Sequence, residues 1–172
     1  MTNKEIIEVE NIFKIKFPED LSIFLKTNLP VSDGFVHWRY GLNSEKGKKE
    51  IESRLNWPLE GILFDVKNSE FWLGEWDLKP EKYSEQKEIV IKKFKNYPKL
   101  IPIYSHRYIS SSPNERGNPI FSVYQTDIIS YGMNLADYLS REFNLQLSEE
   151  DKNISFPKTI DFWTKMIEKN NE

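Results

Sequence analysis

The spacing of apolar residues predicts two helices near the N-terminus. The first is expected over residues 3–16, where charged side chains separate the members of one apolar face, Ile6, Val9 and Phe13. Pro18 suits the first position of a second helix, because the N–H that proline lacks would have no partner there. This helix should end before Pro30 and bury one stripe of residues, Leu21, Phe24 and Leu25. The chain is therefore expected to begin with a helical segment.

Helical spacing returns further along the chain. A polar helix is predicted over residues 44–54, with Asn43 or Ser44 as its cap, and another over residues 80–97. Between the first two helices and these, the aromatic-rich stretch 32–43 is expected to be a short strand or a loop. The middle of the chain is thus predicted to remain partly helical.

Two more helices are predicted near the C-terminus. Asn134 and Asp137 have the spacing of a capping box, and the helix after them should bury Leu135, Tyr138, Leu139 and Phe143. Pro157 is predicted to begin the last helix, which places three residues on one face, Ile160, Trp163 and Ile167.

Apolar runs rich in β-branched and aromatic residues predict the strands. The predicted strands cover residues 61–66, 70–76, 100–104, 119–124 and 127–132. Pro102 favours an edge or irregular strand, because proline cannot donate a hydrogen bond to a neighbouring strand. The polar stretch 106–118 is predicted to be a long loop.

This order of elements predicts an α+β fold. We expect a single domain over residues 1–172, with a curved, mainly antiparallel sheet flanked by N- and C-terminal helices. A chain of 172 residues suffices for one well-filled core. Its predicted members include Phe24, Phe64, Phe121 and Leu139.

Composition narrows the function classes. The net charge of −3 gives no support to a nucleic-acid binder, and the absence of cysteine excludes disulfides, thiolate nucleophiles and cysteine-ligated metals. The charged N-terminal stretch has no apolar run typical of a signal peptide, and no stretch is apolar for the length of a membrane helix. We therefore expect a cytoplasmic protein with no membrane partner.

A catalytic site has few candidates in this sequence. His106 beside Arg107 could serve phosphate chemistry, and Asp127 with Thr126 could supply a general base and a hydroxyl. The two histidines have no metal-binding spacing, and no nucleophile or nucleotide motif occurs. Thr126 and Asp127 lie between two apolar runs, where such residues commonly form turns. We expect a turn, no catalytic residue, no metal and no cofactor.

A protein interface is the other candidate site. The stretch 70–77 combines tryptophan with acids, and both residue types suit a protein-binding surface. If the stretch is a strand, its two tryptophans share one face. The alternative is that these aromatic residues belong to the core and its rim. The predicted partner-binding residues are Glu70, Trp72, Glu75, Trp76 and Asp77. A second acidic candidate is the stretch 137–151, with Asp137, Glu142, Glu149, Glu150 and Asp151.

Two segments resemble the SUKH superfamily, which includes bacterial immunity proteins and a fungal regulator of cell-wall glucan synthesis. The segments are FPEDLSIFLKTN, at 17–28, and LIPIYSHRY followed by GNPIFSVYQTDIISYGMNLADYLSREF, at 100–108 and 117–143. The similarity covers about residues 3–143, whereas the 44–55 segment and the C-terminal helical extension at 145–172 lie outside it. The resemblance implies an α+β fold and a non-enzymatic binding scaffold.

The resemblance also implies a kind of partner. Bacterial members of the superfamily are thought chiefly to neutralise a cognate protein toxin, often a nuclease domain. The alternative, suggested by the fungal relative, is a regulatory scaffold acting on an endogenous pathway such as cell-wall synthesis. An enzyme using His106, Arg107 and Asp127 is the third hypothesis. We expect an immunity protein, and the sequence leaves its oligomeric state open.

Overall fold

The computed structural model describes residues 1–146 and 157–170. Within them the chain forms an α+β domain in which five helices precede a four-stranded antiparallel sheet and two follow it. The helices are α1 (Asn3–Phe13), α2 (Glu19–Thr27), α3 (Trp38–Asn43), α4 (Glu45–Asn68), α5 (Tyr83–Phe94), α6 (Leu135–Phe143) and α7 (Trp163–Asn170). The strands are β1 (Leu100–Tyr104), β2 (Arg107–Ser110), β3 (Ile120–Tyr124) and β4 (Asp127–Gly132). The predicted α+β class is confirmed.

The first two helices are confirmed, and local capping explains where α1 begins. The Thr2 hydroxyl accepts a hydrogen bond from the Glu5 N–H, and the Glu5 carboxylate accepts one from the Thr2 N–H. This capping box satisfies N–H groups that have no partner inside the helix. Helix α1 ends at Phe13, before the predicted residue 16, and Lys14 after it adopts the left-handed conformation. Helix α2 ends before Pro30 as predicted, but Pro18 precedes its first residue.

The sheet has the strand order β1-β2-β3-β4, and every neighbouring pair is antiparallel. Strand β1 is an edge strand with an irregularity between Pro102 and Tyr104, which confirms the prediction from proline. Strands β3 and β4 are confirmed too. The prediction of one long loop over 106–118 is wrong in its first part, because Arg107–Ser110 forms β2 between β1 and β3. Arg107–Ser110 has a composition typical of a loop, but its pairing with β1 on one side and β3 on the other makes it a strand.

Helices cover both faces of the sheet. Adjacent strand residues point to opposite faces, and they belong to two different apolar clusters. The pairs that show this are Leu100 and Ile101, Tyr108 and Ile109, and Phe121 and Ile120. One cluster includes residues of α1, α2, α3 and α6, and the other includes residues of α5, α7 and the second half of α4.

The main error of the sequence prediction is the strand at 61–66. Those residues continue α4, which Ser44 caps through its hydroxyl and which runs to Asn68. Pro58 lies inside this helix, and the carbonyl of Arg54, four residues earlier, accepts a hydrogen bond from the Tyr108 hydroxyl at 2.9 Å. Because proline has no N–H, a side chain from β2 supplies the donor that the helix cannot. The polar helix predicted over 44–54 is therefore the first half of a longer one.

Two further predictions of secondary structure are wrong, one directly before α4 and one directly after it. Residues 70–76, predicted as a strand, are irregular with a turn at 74–75. Trp38–Asn43 forms the short helix α3, where a strand or loop was expected. Of the predicted core, Phe121 and Leu139 are buried, Phe24 is half-buried and Phe64 is 51% exposed. Phe64 is exposed because α4 turns it away from the face that buries Ile62 and Val66.

The first helix after the sheet agrees with its predicted capping signal, whereas the last helix begins later than predicted. The Asn134 side chain caps α6 by accepting from the Asp137 N–H, and the Asp137 carboxylate accepts from the Met133 N–H. Helix α7 starts at Trp163 and not at Pro157, although the predicted residues Ile160 and Trp163 are buried. Among the described residues, each helix is too short or too polar to span a membrane.

Candidate protein-binding surface

The acidic loop, defined here as residues 69–79, connects α4 with the segment before α5. The chain leaves α4 sharply, because Glu70 takes the left-handed conformation and the Phe71 N–H returns to the Asp65 carbonyl at 3.2 Å. A second turn is closed by a hydrogen bond from the Trp76 N–H to the Leu73 carbonyl. The loop thus has defined internal hydrogen bonds.

Trp76 anchors the acidic loop from beneath. Its side chain is 1% exposed, and its indole N–H donates to the Tyr97 hydroxyl at 2.8 Å. Burial raises the pKa of Tyr97 to about 12, so this hydroxyl keeps its proton at neutral pH. The ring of Trp72 packs edge-on against Trp76, 5.2 Å between centroids. Trp76 is therefore a core residue, as the core-and-rim alternative held, and it is not exposed for contact with a partner.

The other predicted residues of the loop face solvent to different degrees. Trp72 is half-buried, and its indole N–H donates to the Asp77 carbonyl at 3.0 Å. Glu70, Glu75 and Asp77 are exposed. The predicted residues thus lie on one loop but differ in their exposure to solvent.

Leu78 is the surface residue that the sequence reasoning missed. Its side chain is 95% exposed, more than any other large hydrophobic side chain of the described residues. Its position directly after Trp76 and Asp77 was a usable signal, because an isolated leucine between charged residues belongs to no apolar face of a helix or strand. The loop therefore presents an aliphatic side chain beside carboxylates.

Neighbouring groups offset part of the negative charge. The Lys93 ammonium lies 3.4 Å from the Asp77 carboxylate, and that of Lys79 lies 4.0 Å from Glu70. The Glu75 carboxylate accepts a hydrogen bond from the Tyr97 hydroxyl at 3.2 Å. Exposed pairs of this kind contribute little to stability and are screened by salt. The surface of the loop is mixed in charge, and is less acidic than the sequence suggests.

Helix α7 and the residues before it hold the loop from the other side. The Lys169 ammonium donates to the Trp72 carbonyl at 3.2 Å and lies 5.1 Å from the centre of the Phe71 ring. The Tyr97 ring stacks on Phe162, with centroids 3.5 Å apart. Lys169 thus contacts the loop directly, and Phe162 contacts it through Tyr97, the hydrogen-bond partner of Trp76. These contacts from distant residues add to the internal hydrogen bonds of the loop.

The Gln125–Thr126 stretch is the turn between β3 and β4, as predicted. The buried Asp65 carboxylate accepts hydrogen bonds from the Thr126 N–H at 2.9 Å and from its hydroxyl at 2.6 Å. Gly61 allows the helix to approach this turn, since a Cβ there would lie 2.7 Å from the Gln125 Cα. The Thr126 hydroxyl thus joins the hairpin to α4.

The remaining catalytic candidates make other contacts. The His106 ring lies 3.1 Å from the Ser105 hydroxyl, and burial together with Arg107 lowers the pKa of His106. The Arg107 guanidinium donates to the Ser122 hydroxyl and stacks over the Tyr131 ring at 3.7 Å. Asp127 is exposed as the first residue of β4. In the part of the chain that the structure describes, no hydrogen bond joins Asp127 to His106.

The second acidic stretch is only partly described. Asp137 is buried, and its carboxylate pairs with Arg141 as well as with the Met133 N–H. Glu142 is half-buried. Glu149, Glu150 and Asp151 lie outside the described residues. Asp137 is therefore occupied in capping α6.

Neither a cluster of metal-binding side chains nor a match to a known protein indicates what this chain does. Within residues 1–146 and 157–170, no group of three or more histidine, aspartate or glutamate side chains could hold a metal ion. No family model, no curated protein and no solved structure matches the chain. Membership of the SUKH superfamily remains a prediction from the sequence.

Proposed function

We propose that this chain is a non-enzymatic immunity protein that binds and neutralises a cognate protein toxin, a nuclease domain. The proposal joins the resemblance to the SUKH superfamily with the surface of the acidic loop. The observation that carries it is the exposure of Leu78 on a loop whose base is buried in the core. Such an arrangement favours binding, because little conformational freedom remains to be lost on association.

The chemistry of the loop suits a protein partner. Leu78 offers an apolar contact, and the half-buried Trp72 lies in the same loop. Glu70, Glu75 and Asp77 are exposed on the same loop, and their carboxylates can meet the basic side chains of a nuclease cleft. Protein interfaces commonly combine apolar and charged side chains of this kind.

The test is co-expression with the toxin encoded by the neighbouring gene, followed by pull-down and growth measurement. We expect the wild-type chain to capture the toxin and restore growth, and Leu78→Ser to weaken capture by about tenfold or more. Val31→Ser is the matched control, because Val31 is also an exposed aliphatic residue, at 73%, and lies outside the loop. Equal capture by both variants would remove the loop from the interface.

The same assay tests the non-enzymatic part of the proposal. His106→Ala and Asp127→Asn should leave protection intact as long as both variants fold, since neither residue belongs to the acidic loop. Loss of protection in a folded variant, together with a hydrolase activity of the wild-type chain, would favour an enzyme. Failure of the wild-type chain to bind any neighbouring gene product would overturn the immunity proposal.

A further inference from the structure

An apolar cavity of about 300 Å³ lies between α1, α4, α5 and the start of β1. Its walls are mainly aliphatic and aromatic, with Ile12 from α1, Leu55 and Leu59 from α4, and Phe94 from α5. Ile12 is 38% exposed and the other three are half-buried, so the cavity opens to solvent. Its volume is at the lower end of the range for small-molecule sites.

Three lysines line the same cavity, Lys14, Lys95 and Lys99, against one acid, Glu52. All three lysines are exposed, so their ammonium groups mark its open side. Lys99 is held in place, because its ammonium donates to the Lys14 carbonyl at 2.7 Å. Among the described residues, neither Lys14 nor Lys95 makes an ion pair.

The position of two of these lysines gives the cavity a polar end. Lys14 and Lys99 also line a shallow neighbouring depression, together with Ser111 and Ser112. They therefore stand where the cavity meets this depression, which is also lined by Glu10 and Lys16, paired with each other at 2.6 Å. A ligand that lies in the cavity and reaches the ammonium groups of Lys14 and Lys99 needs an apolar body and an anionic head.

We propose that this cavity binds a medium-chain aliphatic carboxylate. Its hydrocarbon chain lies among the apolar walls, and its carboxylate meets Lys14 and Lys99. An ammonium group has three N–H donors, so Lys99 retains two after its bond to the Lys14 carbonyl. The excess of lysine over Glu52 favours an anionic head over a cationic one. No residue of the acidic loop lines this cavity.

Isothermal titration calorimetry with octanoate, decanoate and dodecanoate, each below its critical micelle concentration, tests the ligand class. We expect saturable binding with one site, which tightens by about fourfold for each added methylene until the cavity is full. Decylamine, which has the opposite charge, should bind at least tenfold more weakly than decanoate. Absence of saturable binding by all three carboxylates, or equal binding of decylamine, would overturn the proposal.

Variants of the lysines test the site itself. The double variant Lys14→Gln and Lys99→Gln should weaken decanoate binding by about tenfold, because charge-assisted hydrogen bonds to the carboxylate are lost. Lys92→Gln is the matched control, since Lys92 is an exposed lysine of α5 that does not line the cavity. Equal affinities in the double variant and the control would contradict the proposed position of the carboxylate.

Amide chemical-shift mapping of the wild-type chain gives a result that does not depend on variants. Decanoate should shift the amide signals of Ile12, Leu59 and Phe94, and leave those of the acidic loop unchanged. Shifts that cluster elsewhere would overturn the assignment of this cavity. The Leu78→Ser variant should bind decanoate as the wild type does, so failure of the toxin-binding proposal and failure of this one are distinguishable.

Discussion

Pro58 shows how one residue connects a helix to the sheet. Because it has no N–H, the Arg54 carbonyl lacks its helical donor, and the buried Tyr108 hydroxyl replaces it. The Arg54 guanidinium in turn donates to the carbonyls of Gly34 and Ser105. The backbone carbonyl and the guanidinium of Arg54 thus both form hydrogen bonds with residues distant in the sequence. Burial lowers the pKa of this guanidinium from its ordinary value.

The first prediction follows from this exchange of donors. Tyr108→Phe should reduce the free energy of unfolding by about 1–3 kcal/mol, because it leaves the Arg54 carbonyl unpaired. In a Pro58→Ala background the same change should cost less, since an alanine at this position restores a helical N–H. The measurement is a double-mutant cycle by chemical denaturation. Equal costs in the two backgrounds would show that Tyr108 does not substitute for the missing donor.

A second residue-scale prediction concerns acid. The hydrogen bond from the Arg39 guanidinium, followed by that from the Thr2 N–H, lowers the pKa of Glu5 from 4.5 to about 2. Since the folded pKa lies below the unfolded one, this contribution to stability is complete above pH 4.5 and is lost as the pH falls towards 2. Glu5→Gln should flatten that part of the stability curve. Glu8→Gln, an exposed acid of the same helix, serves as the control, and equal curves would contradict the pairing.

At the scale of elements, α4 explains why an apolar run is not a strand. A strand over 61–66 would place Ile62, Phe64 and Val66 on one face. The helix instead buries Ile62 and Val66, four residues apart, and turns Phe64 outward. The same helix aligns Asp65 with the β3–β4 turn and Gly61 with its backbone. Its second half is therefore defined by what it packs against.

The burial pattern of these elements predicts unequal effects of two truncations. Phe121→Ala should cost about 3–5 kcal/mol, because it leaves a cavity beneath the sheet. Phe64→Ala should cost less than about 1 kcal/mol, because the removed ring is 51% exposed. Urea denaturation of both variants gives the comparison. A large cost for Phe64→Ala would favour the strand that the sequence first suggests.

For the whole molecule, charge arrangement matters more than the net charge of −3. The acids of the acidic loop lie beside Lys79 and Lys93, so reversing them changes the local balance strongly. We predict that the double variant Glu75→Lys and Asp77→Lys slows association with the toxin, because steering becomes repulsion. The difference should shrink at high salt, where the screening length falls below about 8 Å.

The measurement is the association rate at two ionic strengths. The matched control is Glu45→Lys with Glu50→Lys, which changes the net charge equally on α4. Slowing by both double variants alike would indicate a general charge effect. Equal rates for the wild type and the loop variant at low salt would exclude the acidic loop from the interface and favour the 137–151 stretch.

The sequence by itself determined the features that arise between residues close together in the chain. The caps at Ser44 and Asn134 and the turn after Tyr124 depend on hydrogen bonds across a few residues. Pro102 indicated an edge strand because its missing donor is a property of the residue itself. The α+β class followed from the order of such signals. The stretch 70–77 was likewise predicted as one candidate surface.

Only the tertiary structure decided which side chains of that surface are available. Trp76 is buried because Tyr97, from beyond α5, supplies its hydrogen-bond partner, and Leu78 is exposed because no distant residue covers it among those described. The run 61–66 suits a strand and a helix alike, and its packing against the β3–β4 turn selects the helix. The cavity beside α1 likewise requires residues from three helices and a strand. The burial of a side chain depends on contacts with residues that are remote in the sequence. A local sequence pattern does not specify which remote residues will make those contacts.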